Sequence, residues 1–147
     1  MKGVILAAGK GTRMLPLTLA RPKPLVPILD VPMIEHIVRG MAAAGVDHVC
    51  IVVGYLQEMI RAQLGDGSRL GVEVEDGVQE QAGGTGDAVL HAAEFIGGDN
   101  FFLSWGDIMV APPNYAAIAE RYRAGGCDGV LGANRVEDPY EGAAVYQ

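Results

Sequence analysis

The chain has 147 residues, 50% of them hydrophobic and 20% charged, which fits one globular core and excludes disorder, a coiled coil and two full domains. Eleven Lys and Arg residues stand against 18 Asp and Glu, a net charge of -7, so a surface built for nucleic acid is excluded as well. The apolar opening is too short for a signal peptide or a membrane span, and the expectation is a soluble, cytoplasmic protein with no membrane partner. Glycine is the outlier: 21 residues is roughly twice the usual share of about 7%.

Short apolar runs alternate with helical stripes along the chain. Val4 to Ala7 reads as a buried strand followed by a long loop. Asp30 is expected to cap a helix in which Met33, Ile34, Ile37, Val38, Met41 and Ala42 share one face, with Gly45 as its stop. A strand at Val49 to Val53 leads to a helix over Gln57 to Leu64, with Met59, Ile60 and Leu64 inward. Val72 to Val74 reads as a strand, Ala88, Val89, Ala92 and Ala93 as a third helical stripe, and Phe101 to Leu103 as a strand. Tyr115, Ile118, Ala119 and Tyr122 mark a fourth helix, Val130 and Leu131 a strand, and residues from Gly142 the start of another. This order predicts one α/β domain over residues 1–147, doubly wound, with a mostly parallel sheet and helices on both faces. Ligands of such sheets bind at the carboxyl ends of the strands.

The loop after the first strand, Gly9-Lys10-Gly11-Thr12-Arg13-Met14, suits a polyphosphate. Glycines turn consecutive N–H groups toward one anion, Thr12 adds a hydroxyl, and Arg13 offers a planar fork that matches phosphate oxygens. Taken alone, such a turn reads more often as a solvated loop. The P-loop pattern is excluded because Gly11 follows Lys10, and the dinucleotide fingerprint because Met14 stands where a third glycine is needed. Downstream, Arg21-Pro22-Lys23-Pro24-Leu25-Val26-Pro27 forbids a regular helix and should hold an extended arm that carries Lys23 back over the loop.

Together, Leu6-Ala7-Ala8-Gly9-Lys10-Gly11-Thr12-Arg13-Met14, Pro16-Leu17-Thr18 and Pro22-Lys23-Pro24-Leu25 resemble the signature of the sugar-1-phosphate nucleotidylyltransferases, or NDP-sugar pyrophosphorylases. The resemblance implies a Rossmann-like nucleotidyltransferase fold and a triphosphate held by Leu6, Ala7, Ala8, Gly9, Gly11 and Thr12. It gives Arg13 the departing pyrophosphate and Lys23 the reacting phosphates, the two catalytic positions. In Val78-Gln79-Glu80-Gln81-Ala82-Gly83-Gly84-Thr85, the family's glutamine lies five positions before its glycine, which assigns the nucleobase to Gln79, Gly84 and Thr85. A side-chain amide could pair with a pyrimidine imide through donor and acceptor together, and Thr85 could also cap the next helix. The doubled Gly83-Gly84 departs from the family's usual single glycine. Asp107, at the end of the Phe101-Phe102-Leu103-Ser104-Trp105-Gly106 run, takes the family's Mg²⁺ position; a strand-end Asp is otherwise an ordinary turn former. Gly142 takes the sugar contact.

The resemblance covers the whole chain, whereas family catalytic domains are longer, so an N-terminal portion is expected. The implied activity is transfer of a nucleotidyl group from a nucleoside triphosphate, UTP or dTTP favoured, to a sugar 1-phosphate. The alternative is a nucleotide-binding or regulatory module without turnover. A homo-oligomer is compatible with either. His36 and His91 read as helix-face residues, His48 as a strand start, Trp105 as packing, and Cys50 as a small buried hydrophobe.

Overall fold

The computed structural model describes residues 1–81 and 83–133. The sugar position Gly142 and the strand expected to start there lie outside the described residues. Four strands form one parallel sheet: β1 (Lys2–Ala7), β4 (His48–Val53), β5 (Glu73–Val78) and β6 (Phe101–Trp105). Their order is β5-β4-β1-β6, and Ile5 of β1 pairs with Ile51 on one side and Ser104 on the other. β1 and β4 are buried along almost their whole length, as a parallel strand covered on both faces must be. The chain leaves β1 toward β4 on one side and reaches β6 on the other. A crevice therefore opens at the carboxyl end of β1.

Two clusters of buried side chains cover the two faces. On one, Ile5, Val49, Ile51 and Val53 meet three helices: α1 (Met33–Ala43), α2 (Gln57–Leu64) and α5 (Pro112–Arg123), through Ile34, Ile37, Met41, Ile60 and Tyr115. Each fully buried aliphatic side chain here contributes about 1.5–3 kcal/mol. On the other face, Val4, Leu6, Cys50 and Val52 pack against Ala88 of α3 (Thr85–Leu90) and Ala92, just before α4 (Ala93–Ile96). Burial pushes the Cys50 thiol up to about 11, so it stays a neutral, packed group. Glu35 of α1 is buried but fully engaged: Arg69 donates two hydrogen bonds to its carboxylate at 2.6 and 2.8 Å, and Gln63 a third at 2.6 Å. The Arg69 bonds chiefly hold its carboxyl down at about 2, against the opposing effect of burial.

Several expectations are corrected. Asp30 caps no helix; with Leu29 it forms the turn of a small hairpin, β2 (Pro27–Ile28) and β3 (Val31–Pro32), at φ values of 63 and 50. The helix starts only after Pro32 because Val31 and Pro32 are held in that hairpin. The proline arm is extended only in part, since Lys23–Leu25 closes a 3-10 turn. The third strand runs over Glu73–Val78, because the edge of the sheet tolerates Glu73, Glu75 and Asp76 facing solvent and basic partners. The third stripe is two helices, α3 and α4. Their break falls at His91, whose carbonyl passes so close to Gly77 that a Cβ there would lie 2.6 Å from it. Val130 and Leu131 form no strand; Leu131 is 71% exposed and lacks the burial that the central parallel strands have.

Candidate active site

One cavity of about 680 Å³ lies over the carboxyl end of β1, within the size range of small-molecule sites. Its floor is Leu6, Ala7 and Ala8 from the strand itself, and one wall is the loop Gly9 to Met14. The loop turns at Gly11, whose φ of 62 suits glycine, and a Cβ there would press on Thr18 Cγ2 at 3.0 Å and Lys23 Cβ at 3.1 Å. Thr12–Met14 then forms a short 3-10 turn. Thr18 is buried, and its hydroxyl donates to the Gly11 carbonyl at 2.9 Å. Tyr55 ties the following segment down by donating from its hydroxyl to the Leu19 carbonyl at 3.2 Å.

The second wall carries the charge. Lys23 sits in its 3-10 turn between buried Pro22 and Pro24, which set its backbone and aim the side chain across the crevice. Its ammonium donates to Asp107 Oδ2 at 2.6 Å; the lysine and aspartate side chains are 26% and 31% exposed. Asp107 follows β6 at the carboxyl edge. Arg13 and Lys10 line the same cavity. The third wall is the segment after β5. Gln79 is buried, and its Nε2 donates to Asp87 Oδ2 at 2.6 Å and to the Gly84 carbonyl at 3.3 Å. Gly84, at φ 89, precedes α3, and Thr85 is the first helical residue with no capping bond from a side chain. The expected Thr85 cap is therefore not formed.

All the site residues expected from the sequence within the described region line this one cavity. Sequence reasoning passed over Lys10, although it stands between two singled-out glycines, and Tyr55 and Gln57, which line the cavity from beyond β4. Trp105, read as packing, is 38% exposed and lines the cavity. The expectation that the Gln79 amide offers donor and acceptor together is also modified, since its donor end is already engaged. Among the described residues no three acidic, His or Cys side chains cluster as a metal cage. Asp107 alone still fits a hard cation of the Mg²⁺ type, which is commonly held by one or two carboxylates with phosphate oxygens and water completing the shell.

A parallel sheet wrapped by helices on both faces, with a glycine-turned loop and basic side chains over its carboxyl edge, defines the doubly wound, nucleotide-binding class of α/β proteins. The chain belongs to the Nucleotidyl transferase family, whose model matches residues 2–141. It is 35% identical over 136 residues to a mannose-1-phosphate guanylyltransferase of Mycobacterium tuberculosis, covering 92% of this chain and 38% of that protein. It is 37% identical over 139 residues to a glucose-1-phosphate thymidylyltransferase of Streptomyces griseus, covering 95% and 39%. A crystal structure from Bacillus anthracis, described as a glucose-1-phosphate thymidylyltransferase in complex with sucrose, superposes with a TM-score of 0.78 at 31% identity, covering 84% of this chain and 50% of that one. The chain thus spans about two fifths of the length of these curated relatives. No helix among the described residues is long and apolar enough to cross a membrane.

Proposed function

We propose that this chain forms the nucleotide half of a sugar-1-phosphate nucleotidylyltransferase. In the reaction, a phosphate oxygen of a sugar 1-phosphate attacks the α-phosphorus of a nucleoside triphosphate. The bond from that phosphorus to the β-phosphate bridging oxygen breaks, and pyrophosphate leaves with the NDP-sugar formed. The attacking oxygen is already anionic, so no general base is required. The observation that carries the reading is that Arg13, Lys23 and Asp107 face one cavity with the glycine-turned loop on one side and the Gln79–Gly84 segment on another. Such spacing suits a ligand with a charged tail and a polar ring at opposite ends.

In this reading the Gly9–Thr12 backbone, with Leu6, Ala7 and Ala8 beneath it, seats the triphosphate. Arg13 holds the departing pyrophosphate by its planar fork and Lys23 neutralises the reacting phosphates. Positioning and charge neutralisation are most of what phosphoryl transfer asks of a protein. Asp107 would hold Mg²⁺, which when bound supplies neutralising charge on the phosphate oxygens. Gln79, Gly84 and Thr85 border the base, for which UTP or dTTP is preferred, and Gly142 contributes to the sugar side. Such a reaction draws on cytoplasmic nucleotide pools, where the reading puts the protein.

Replacement of Arg13 by Ala tests it. The side chain is exposed, so the variant should fold as the parent does. Pyrophosphate release from UTP or dTTP with glucose 1-phosphate should fall by about two orders of magnitude, the cost of removing one well-placed donor. Full activity in that variant would refute the assignment. The lack of any cluster of three acidic, His or Cys side chains among the described residues favours a second reading, a module that binds nucleotide without turnover; binding by calorimetry with no pyrophosphate release is its signature.

A further inference from the structure

Gln79 immediately follows β5, and its side chain is locked from one end. Both acceptors of its Nε2 group, Asp87 Oδ2 at 2.6 Å and the Gly84 carbonyl at 3.3 Å, are oxygens without a proton to give. Turning the amide over would set Oε1 against a carboxylate and a carbonyl, so the flip is fixed by the network and not by the amide itself. His91 Nε2 lies 3.5 Å from the same Asp87 oxygen. The doubled glycine, unexplained from sequence, has a reason here. A Cβ on Gly83 would lie 2.5 Å from Asp87 Oδ2, so only glycine lets the carboxylate reach this position.

We propose that Asp87 is the positioning residue that sets which nucleobases the cavity accepts. The inference rests on the nucleotide reading above and deepens it. With Nε2 occupied, Gln79 presents Oε1, an acceptor, as its remaining polar atom. The Gly84 N–H donates to no backbone acceptor among the described residues, and an added Cβ at Gly84 would meet nothing within 4 Å, so a ring can approach its backbone. An acceptor beside a donor complements a ring N–H next to a carbonyl, the edge carried by uracil, thymine and guanine. Adenine and cytosine carry the opposite pattern, a bare ring nitrogen next to an amino group. They would place acceptor against acceptor and donor against donor, and a site built around a particular hydrogen bond rejects such mismatches strongly.

Trp105, the single tryptophan of the chain, lines the same cavity and reports occupancy by its fluorescence. The full chain is titrated with UTP, dTTP, GTP, CTP and ATP. The parent should bind the first three at least about tenfold more tightly than the last two. Asp87→Asn offers the Gln79 amide a partner in either orientation, and the gap should close to about threefold. Gly83→Ala, which crowds the carboxylate out by a different route, should close it too. Equal binding of all five by the parent overturns the inference. So does a variant pair that keeps the parent's ratio, or one that weakens all five alike, which is the mark of a merely structural role. No response to any triphosphate removes the proposed function and this inference with it, whereas selective binding that the variants leave intact removes the inference alone.

Discussion

Replacing Lys23 by Gln should strengthen divalent-metal binding to the nucleotide-free protein while weakening its grip on triphosphate. The ammonium sits 2.6 Å from Asp107 Oδ2, with both side chains less than one third exposed. A cation approaching Asp107 must displace or share that contact. Fully exposed pairs are worth at most about 1 kcal/mol and hydrogen bonds to charged groups about 1.5–3 kcal/mol. A half-buried pair falls between, near about 1.5 kcal/mol, which corresponds to about tenfold in metal affinity. Gln is one bond shorter, keeps a polar end and removes the charge. Mn²⁺ binding followed by water-proton relaxation, with and without UTP, gives the measurement. The variant should bind Mn²⁺ about tenfold more tightly without nucleotide, and UTP should raise its metal affinity less than the parent's, since only the parent has an ammonium for the phosphates to draw away. Metal affinity unchanged or lowered in the nucleotide-free variant would refute the reasoning.

Glu35→Gln should cost about 2 kcal/mol at pH 7. The interval from 4.5 down to about 2 sets a ceiling near 3 kcal/mol at about 1.36 kcal/mol per pH unit, and the 45% exposure of Arg69 screens part of that. Because folding depresses this carboxyl, its contribution is complete above about pH 5 and fades as pH falls toward 2. Urea unfolding of parent and variant should therefore converge at low pH, and a constant difference would count against the network. Two glycines in the phosphate loop should separate stability from binding. Gly11→Ala forces a side chain into φ 62 against Thr18 and Lys23 and should lower both the melting temperature and UTP affinity. Gly9→Ala meets nothing within 4 Å and should weaken UTP alone, measured by thermal unfolding and Trp105 fluorescence.

What the sequence could show depended on how local the cause was. The strands β1 and β4 were legible because each is a run of apolar residues buried on both faces, and α2 because Ile60 and Leu64 repeat at helical spacing. The extent of β5 beyond Val74 was hidden, since Glu75 and Asp76 do not read as strand until β4 is seen beside them, with His48 at 2.8 Å from Glu75 and Arg61 of α2 paired to Asp76. Asp30 misled for the opposite reason: as a helix cap it made local sense, yet the pairing of Pro27 with Pro32 claims it for a hairpin turn. In the site, the loop and the proline arm announced themselves through glycine and proline spacing. Asp87 carried no such mark. Its importance comes from a contact across eight residues that only the fold brings about.

The same contrast explains how a chain of net charge -7 offers a cavity to a polyanion. Lys10, Arg13 and Lys23 line it against the two carboxylates Glu80 and Asp107, so the local balance is reversed from that of the whole molecule. Several other acidic side chains are committed elsewhere, Asp47 and Asp99 to the amino terminus and Lys2, Asp76 to Arg61, and Glu35 to Arg69. Of the three cations, Lys23 is neutralised in place by Asp107, which leaves Arg13 and Lys10 to make the first contact with a phosphate tail. An acidic surface repels a polyanion at long range, a repulsion screened beyond about 8 Å at physiological salt, so capture must depend on these two side chains at close quarters. The rate of UTP association should then hold or rise with ionic strength in the parent as long-range repulsion is screened, while neutralising Arg13 and Lys10 together should slow it at every salt concentration.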